Sequence, residues 1–245
     1  MTSRVAVVTG GSRGIGRACA EALAGGDWTV AIGYRTREAD AKEALDALEA
    51  AGTPGMAVHL DVTDDSSVQE AFRRVSDEAG PVTGLVNNAG YSRDGLLLKY
   101  SMEEYERTMS TNLRGSFLCS RAALRSMLRE KWGRIVIMSS AVAIHGNAGQ
   151  TVYAATKAGL LGLTRSLARE VGGKGITVNA LCPGLLETEM TSHLTDEARA
   201  FYVDQTPPRR PATLPEVAAV VRFLMSDEAS YVNGTTIPVD GGLTA

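Results

Sequence analysis

The chain has 245 residues, of which 44% are hydrophobic and 22% are charged. A chain of this size buries a large core, so its fold requires neither disulfides nor a structural metal. A formal net charge of −3 and a pI near 5.7 argue against nucleic acid as the main partner, because nucleic-acid-binding domains usually carry a basic excess.

Short β-branched apolar runs alternate with longer helical patterns from one end of the chain to the other. The predicted strands are Val5–Val8, Thr29–Ile32, Ala57–Leu60, Gly84–Val86, Arg134–Met138, Ile176–Val178 and Thr236–Val239. The predicted helices are Ile15–Ala24, Ala39–Ala51, Ser66–Glu78, Met102–Arg129, Thr151–Val171 and Pro215–Met225. This alternation predicts an α/β fold of the Rossmann type, a doubly wound parallel sheet covered by helices on both faces. Since no linker or repeat divides the chain, we predict a single domain over residues 1–245.

One segment near the C-terminal end does not follow the alternation. Glu187–Pro211 lies beyond a predicted strand, lacks a clean strand or helix pattern, and contains Thr206-Pro207-Pro208. It is interpreted either as a mobile lid or as an ordinary surface excursion.

The cysteines and the apolar runs indicate the cellular compartment of the protein. Cys19, Cys119 and Cys182 are far apart and form no CxxC pair, so we expect neither disulfides nor a metal site. The N-terminal segment carries a strand rather than a charged leader with a long apolar run, so no signal peptide is expected. No apolar run reaches the roughly 18 residues of a membrane-spanning helix. The expectation is a cytoplasmic protein without membrane contact.

A glycine-rich loop connects the first predicted strand to the first helix. Its glycines allow a tight turn, close approach of the backbone to a pyrophosphate, and packing on the helix. The helix N-terminus adds free N–H groups and the positive end of its dipole. The alternative is a plain tight turn, which the strand–loop–helix context disfavours. The predicted dinucleotide-binding residues of this loop are Gly10, Ser12, Arg13, Gly14, Ile15 and Gly16.

The end of the second predicted strand indicates which dinucleotide binds. An Asp or Glu there would bind the ribose 2′-hydroxyl of NAD, but Gly33–Arg37 contains no acid. Arg13 and Arg35 approach this corner from two loops, and two guanidinium groups would clamp a 2′-phosphate. This pattern favours NADP(H). The alternative is that Arg35 and Arg37 are solvated surface charges.

The third and fourth predicted strands end in further candidate cofactor contacts. Asp61 and Val62 follow the third strand, where Asp61 is predicted either to hold the adenine or to cap a helix. Asn87 and the three residues after it follow the fourth strand, and small residues there allow the cofactor to approach closely. The cofactor-binding set therefore also includes Asp61, Val62, Asn88, Ala89 and Gly90.

Tyr153 and Lys157 lie four residues apart in a predicted helix, so their side chains share one face. A phenol has an unperturbed pKa of about 10. A neighbouring ammonium and a positively charged nicotinamide would lower that pKa. Tyr153 could then exchange a proton with a substrate oxygen while the nicotinamide exchanges a hydride with carbon. The alternative is a packed ring beside a lysine that reaches to solvent.

Two further residues extend this candidate catalytic group. Ser140 follows the fifth predicted strand, thirteen residues before Tyr153. Ligands bind at such strand ends in this architecture, and a hydroxyl there can bind a carbonyl oxygen. Asn112 lies inside a helical run although asparagine is a poor interior helix former, which suggests that it holds a water or serves packing.

With the glycine loop, Asn87–Gly90, Ser140 and Tyr153-x-x-x-Lys157 in this order, the chain resembles the short-chain dehydrogenase/reductase family over essentially its whole length. The resemblance implies that Asn112 holds a water linking the lysine to a proton relay. It also implies that Tyr153 and Lys157 contact the cofactor. The implied catalytic tetrad is Ser140, Tyr153, Lys157 and Asn112, and the implied nicotinamide contacts are Pro183, Gly184 and Thr188.

Within that family the chain looks most like the 3-oxoacyl-[acyl-carrier-protein] reductases. The segments that follow that subgroup's pattern are Ser92–Asp94, Gly149-Gln150, Glu187–Thr191 and Ser226–Ala229. The resemblance implies a cytoplasmic homotetramer that uses NADPH to reduce a 3-oxoacyl thioester, delivered by acyl carrier protein, to the (3R)-hydroxy product.

Two features depart from the subgroup's pattern. Its carrier-docking arginines are replaced by Lys131 and Lys174, which keep the charge and lose the bidentate fork. The loop Ala141–Asn147 also differs and is expected to line the substrate pocket. Its His145 is interpreted as pocket wall or surface rather than as a further catalytic group.

Three other functions fit parts of the same sequence. A related ketoreductase of polyketide or other secondary metabolism is the nearest alternative, because the arginine-rich composition is typical of GC-rich genomes. A dehydrogenase of sugars, steroids or hydroxyacyl-CoA is disfavoured in its NAD-dependent forms by the missing acid after Gly33. A nucleotide-sensing regulator could share the fold, but it would not need Ser140, Tyr153 and Lys157 together.

Overall fold

Seven strands form one sheet in a computed structural model of the protein, which describes residues 4–192 and 194–245. They are β1 (Arg4–Thr9), β2 (Trp28–Tyr34), β3 (Gly55–His59), β4 (Val82–Asn87), β5 (Gly133–Met138), β6 (Ile176–Pro183) and β7 (Thr236–Val239). All are parallel, in the spatial order β3-β2-β1-β4-β5-β6-β7. The predicted Rossmann-type doubly wound sheet is confirmed, and each predicted strand overlaps an observed one.

Helices cover both faces of this sheet. They are α1 (Gly14–Ala22), α2 (Glu38–Ala50), α3 (Asp65–Ala79), α4 (Met102–Met109), α5 (Gly115–Glu130), α6 (Val142–His145), α7 (Thr151–Val171), α8 (Asp196–Gln205) and α9 (Leu214–Leu224). Residues of β1 alternate between two cores: Ala6 and Val8 pack with α1, α2 and α9, whereas Val5 and Val7 pack with α3, α5 and α7. Burial on both faces explains why the strands are continuous apolar runs.

The predicted helix Met102–Arg129 is interrupted in the structure. A π-helical turn, Ser110–Arg114, separates α4 from α5, and Asn112 lies buried at its centre. A π-turn carries one extra residue per turn, and such turns are frequent at functional sites. The apolar periodicity of the flanking helices does not reveal this insertion, so the sequence predicted one unbroken helix.

The segment Glu187–Pro211 contains a helix that the sequence did not predict. Helix α8 begins after Thr195, whose side chain accepts a hydrogen bond from the Ala198 amide at 3.2 Å. None of its residues is buried, so it has no apolar stripe that periodicity could reveal. The lack of a clean pattern therefore did not exclude a helix, and the interpretation of this segment as a lid or as a surface excursion stays a prediction.

The crevice for a ligand lies where the strand order reverses, between the carboxyl ends of β1 and β4. The chain passes outward from β1 to β3, then returns to place β4 on the other side of β1. The glycine loop follows β1 and Asn88 follows β4, so both border this crevice. Within the described ranges, no helix is both long and apolar enough to cross a membrane.

Candidate active site

The glycine loop is locked against the end of β4. Asn88 donates from its side-chain amide to the carbonyls of Thr9 and Gly10, at 3.0 and 3.1 Å. The Thr9 hydroxyl in return accepts from the amides of Asn88 and Ala89, both at 2.9 Å. Any side chain on Gly16 would collide with the Gly10 carbonyl oxygen and the Asn88 amide. The loop therefore requires glycine there for close packing on the helix, as expected for a dinucleotide-binding turn.

The N-terminus of α1 is free to bind an anion. Arg13 occupies the N-cap position and makes no side-chain capping bond, and the first turn carries no acidic residue. Gly14, the first residue of α1, has φ +52°, and no atom lies within 4 Å of where its Cβ would be. Ser12 is buried, and Ile15 faces the cavity described below. Uncapped N–H groups at a helix start fit a pyrophosphate.

The arginines near the predicted adenosine end of the cofactor site are arranged differently from the prediction. Arg13 forms an ion pair with Glu189, and Arg37 reaches the same carboxylate oxygen at 3.2 Å. Arg35 is exposed, and no ion pair or hydrogen bond of its side chain is found among residues 4–192 and 194–245. The structure thus brings Arg13 together with Arg37, which the sequence analysis named, with Arg35, only in the alternative of solvated surface charges. The clamp of Arg13 and Arg35 stays a prediction.

Asp61 does not cap a helix. Its Oδ1 accepts from the amide and the hydroxyl of Thr63, at 2.9 and 2.7 Å, in a local turn. The cap of α3 is Asp64, whose side chain accepts from the Ser66 amide at 3.0 Å. The capping alternative is therefore wrong for Asp61, and its contact with adenine stays a prediction. Val62 beside it is buried, and a Cβ on Gly115 would contact its side chain.

A cavity of about 170 Å³, open to solvent, lies at the carboxyl edge of the sheet. Its walls come from strand ends of β4, β5 and β6 and from α7. Of the predicted site residues, those that line it are Ile15, Asn88, Gly90, Ser140, Tyr153, Lys157, Pro183, Gly184 and Thr188. The tertiary structure therefore brings together residues that the sequence separates by more than 150 positions.

Tyr153 and Lys157 face this cavity from one side of α7. The Lys157 ammonium donates to the Met138 carbonyl at 2.7 Å and lies 5.6 Å from the centre of the Tyr153 ring. Burial lowers the pKa of Lys157 to about 8 and raises the pKa of Tyr153 to about 12, although a hydrogen bond with Ser140 lowers the latter. Burial outweighs the lowering expected from the ammonium, and the lowering expected from a bound nicotinamide stays a prediction. Tyr153 is a neutral phenol, suited to donate a proton.

Asn112 holds the loop after β4 against α7. Its Oδ1 accepts from the Tyr91 amide at 2.7 Å, and its Nδ2 donates to the Tyr91 carbonyl at 2.9 Å and to the Thr156 hydroxyl at 3.0 Å. A Cβ added to Gly90 would lie 3.6 Å from the Asn112 Oδ1 and 3.7 Å from the Lys157 ammonium nitrogen. The side-chain amide is thus bonded to protein groups, and the water-holding role of Asn112 stays a prediction.

The segment after β6 forms the opposite wall. Gly184 lies against Asp240, because an added Cβ would be 2.9 Å from the Asp240 Cα. The Thr188 amide donates to the Thr191 hydroxyl at 3.0 Å, which fixes the first turn of the segment beyond the strand. Pro183, Gly184 and Thr188 all line the cavity, so a nicotinamide ring bound there would contact them.

Three expectations drawn from the resemblance concern the surroundings of the cavity. Within the loop after β5, Val142 and His145 line it, and His145 is an exposed part of the wall. Lys131 and Lys174 are exposed next to the starts of β5 and β6, at the amino edge of the sheet. In one copy of the chain they therefore lie away from the cavity mouth, and their docking role stays a prediction.

Comparison with known proteins agrees with this geometry. Residues 10–244 match the family model described as "Enoyl-(Acyl carrier protein) reductase". The chain belongs to the short-chain dehydrogenase/reductase family. It is 46% identical over 240 residues to the 3-oxoacyl-[acyl-carrier-protein] reductase FabG of Salmonella typhimurium, covering 98% of this chain and 97% of that one. The FabG of Pseudomonas aeruginosa is 44% identical, with 99% and 98% covered.

A solved structure extends the comparison to the fold. A mutant short-chain dehydrogenase/reductase of Serratia marcescens superposes with a TM-score of 0.94 at 33% sequence identity, covering 100% of this chain and 99% of that one. The predicted resemblance to this family is confirmed.

Proposed function

We propose that the protein reduces the 3-oxo group of an acyl thioester to a hydroxyl, with NADPH as the cofactor and acyl carrier protein as the substrate's carrier. The observation that carries this proposal is the convergence of Ser140, Tyr153 and Lys157 on one cavity. It occurs in a chain 46% identical, over 98% of its length, to a 3-oxoacyl-[acyl-carrier-protein] reductase.

The cofactor fits the crevice between β1 and β4. The uncapped start of α1 would hold the pyrophosphate, and Pro183, Gly184 and Thr188 would hold the nicotinamide. Arg13 and Arg37 already reach one anionic group together, so the same pair, with Arg35, can bind a 2′-phosphate. When bound, the reduced nicotinamide supplies the hydride that the carbonyl carbon accepts.

The protein's own side chains handle the oxygen and its proton. Ser140 donates a hydrogen bond to the substrate carbonyl oxygen, and Tyr153 donates its phenolic proton to the same oxygen as negative charge develops there. The Lys157 ammonium, held by the Met138 carbonyl at 2.7 Å, stabilises the phenolate that this transfer leaves behind. The raised pKa of Tyr153 suits this direction of reaction, because the phenol carries its proton at neutral pH.

We infer further that the protein is a cytoplasmic homotetramer. Large apolar side chains on α5 are partly exposed, with Phe117 at 47% and Leu128 at 44%, and a second copy would cover them. Lys131 and Lys174 supply exposed positive charge for an acidic carrier protein.

A substrate panel under one assay tests the proposal. With NADPH, we expect rapid reduction of acetoacetyl thioesters on acyl carrier protein and N-acetylcysteamine, and with NADH a kcat/KM at least about tenfold lower. The same assay includes a 3-oxoacyl-CoA, cyclic ketones and quinones. Preference for cyclic ketones would favour the polyketide or secondary-metabolite ketoreductase. Tight NADPH binding with no turnover of any ketone would favour a nucleotide sensor and overturn the proposal.

A further inference from the structure

A chain of hydrogen bonds runs along one side of the cavity mouth and ends on helix α8. Gln150 donates from Nε2 to Asp94 at 2.8 Å, and Asn147 donates from Nδ2 to the Gln150 Oε1 at 3.0 Å. The same Nδ2 donates to the Tyr202 hydroxyl at 2.7 Å. The chain joins three segments that the sequence keeps apart: the loop after β4, the loop before α7, and the segment beyond β6.

The carboxylate at one end sets the direction of every bond in this chain. The Asp94 carboxyl oxygen accepts from Gln150, so the Gln150 amide turns its nitrogen to Asp94 and its oxygen to Asn147. Asn147 must then turn its own nitrogen toward both Gln150 and Tyr202. The Tyr202 oxygen is therefore an acceptor within the chain, and its proton remains to be donated elsewhere.

The Tyr202 side chain that carries this proton is part of the wall of the substrate cavity. Tyr202 lines the same cavity as Tyr153, and the lining also includes the apolar Leu194 and Leu243. Burial raises the pKa of Tyr202, although the hydrogen bond from Asn147 opposes this shift, so the hydroxyl keeps its proton. Within residues 4–192 and 194–245, Asn147 is the hydrogen-bond partner found for this hydroxyl.

Two other polar side chains of the lining are already bonded to the protein. Asn88 donates to the Thr9 and Gly10 carbonyls, and the Thr191 hydroxyl donates to the Leu186 carbonyl at 2.6 Å. These groups cannot donate into the cavity without breaking their bonds. A donor with a spare proton in a cavity wall favours a ligand with an acceptor at that point.

We propose that Tyr202 determines specificity by donating a hydrogen bond to a second carbonyl oxygen of the substrate. The inference rests on the proposed function, in which Ser140 and Tyr153 hold the ketone oxygen that becomes the alcohol. A 3-oxoacyl thioester carries its second carbonyl two carbons away, at the thioester itself. Tyr202 thus selects 1,3-dicarbonyl substrates over simple ketones, and α8 acts as the part of the wall that recognises the thioester.

The variant Tyr202→Phe tests this assignment with two substrates that differ at one group. One is S-acetoacetyl-N-acetylcysteamine, and the other is its thioether analogue, in which the thioester carbonyl is replaced by a methylene. Loss of one neutral hydrogen bond should lower the ratio of the two kcat/KM values, dicarbonyl over monoketone, by roughly 3- to 10-fold. An unchanged ratio, or equal losses on both substrates, would overturn the assignment.

A second variant tests the direction of the hydrogen-bond chain while keeping the hydroxyl. In Asn147→Asp, the new carboxylate accepts the Tyr202 proton and withdraws it from the cavity, so the same fall in the ratio is expected. Tyr231→Phe, at a fully exposed tyrosine, is the matched control and should leave both kcat/KM values unchanged. Thermal melting of each variant separates a change in recognition from a loss of fold.

The outcomes also separate this inference from the function on which it rests. Wild-type turnover of the dicarbonyl with an unchanged ratio in Tyr202→Phe would overturn the specificity role alone. Absence of turnover of both ketones by the wild-type protein would overturn the proposed function and this assignment with it.

Discussion

The two edges of the sheet carry similar chemical groups and use them in opposite ways. At the amino edge, the Trp132 ring lies close to two guanidinium groups, 4.0 Å from Arg4 and 4.4 Å from Arg134. Asp227 binds Arg4 at 2.8 Å and accepts from the Trp132 indole at 3.2 Å. Arg134 donates to the Ser226 and Gly133 carbonyls at 3.0 and 2.9 Å. Each group of this amino-edge cluster is bonded to other protein groups.

At the carboxyl edge, by contrast, polar groups beside the cavity still have hydrogen bonds to donate. Tyr153 is a half-buried phenol with its proton, Tyr202 accepts one bond and keeps a proton to donate, and the start of α1 lacks a side-chain cap. Buried charge by itself therefore does not identify a site. A binding site is distinguished by polar groups whose hydrogen bonds the fold leaves unmade. A cluster whose groups are all bonded to one another stabilises the structure, whereas groups with unmade bonds can bind a ligand.

The largest effect is expected for a substitution at the carboxyl edge, where it should lower kcat. Replacing Tyr153 by Phe removes the proton donor and keeps the ring, so kcat for ketone reduction should fall by about a thousandfold. NADPH binding, followed by its fluorescence, and the melting temperature should change little. A variant that retained more than about a tenth of the wild-type kcat would contradict the assignment of Tyr153 as the acid.

The next largest effect comes from a substitution at the amino edge, which should lower the stability of the protein and leave kcat unchanged. In Arg134→Met, the Ser226 and Gly133 carbonyls lose their donor, so the free energy of unfolding should fall by about 2 kcal/mol. Urea denaturation measures this loss, and kcat of the folded protein should equal that of the wild type. The exposed Arg129→Met is the control. A drop in kcat without a drop in stability would show that the two edges are coupled.

The last prediction concerns how kcat/KM depends on pH at the carboxyl edge. Because burial lowers the pKa of Lys157 to about 8, its ammonium is present below that pH and is lost as the pH rises through it. The kcat/KM for reduction should then fall by about tenfold per pH unit above pH 8. Tyr153, whose pKa is raised to about 12, stays protonated across this range. A profile that stays flat to pH 10, or one altered by Lys42→Met at an exposed lysine, would contradict the role of Lys157.

Local patterns predicted much of the fold and part of the site. The strands were recognisable because both faces of the sheet are buried, which leaves β-branched runs with no polar interruption. The glycine loop and the Tyr153–Lys157 pair were recognisable because each depends on a short, fixed spacing. Non-local contacts were harder to predict: the pairing of Arg37 with Glu189 was not expected, and Asp61 was given a possible cap that Asp64 provides.

Periodicity and turn chemistry act over a few residues, so the alternation of strands and helices, the dinucleotide loop and the spacing of the catalytic pair can be predicted from the sequence. Three features required the folded structure: burial raises the pKa of Tyr153, a π-turn places Asn112 beside Gly90, and Tyr202 accepts a hydrogen bond from Asn147 beside the cavity. These features depend on solvent exclusion and on contacts between distant segments. Neither is encoded in local spacing.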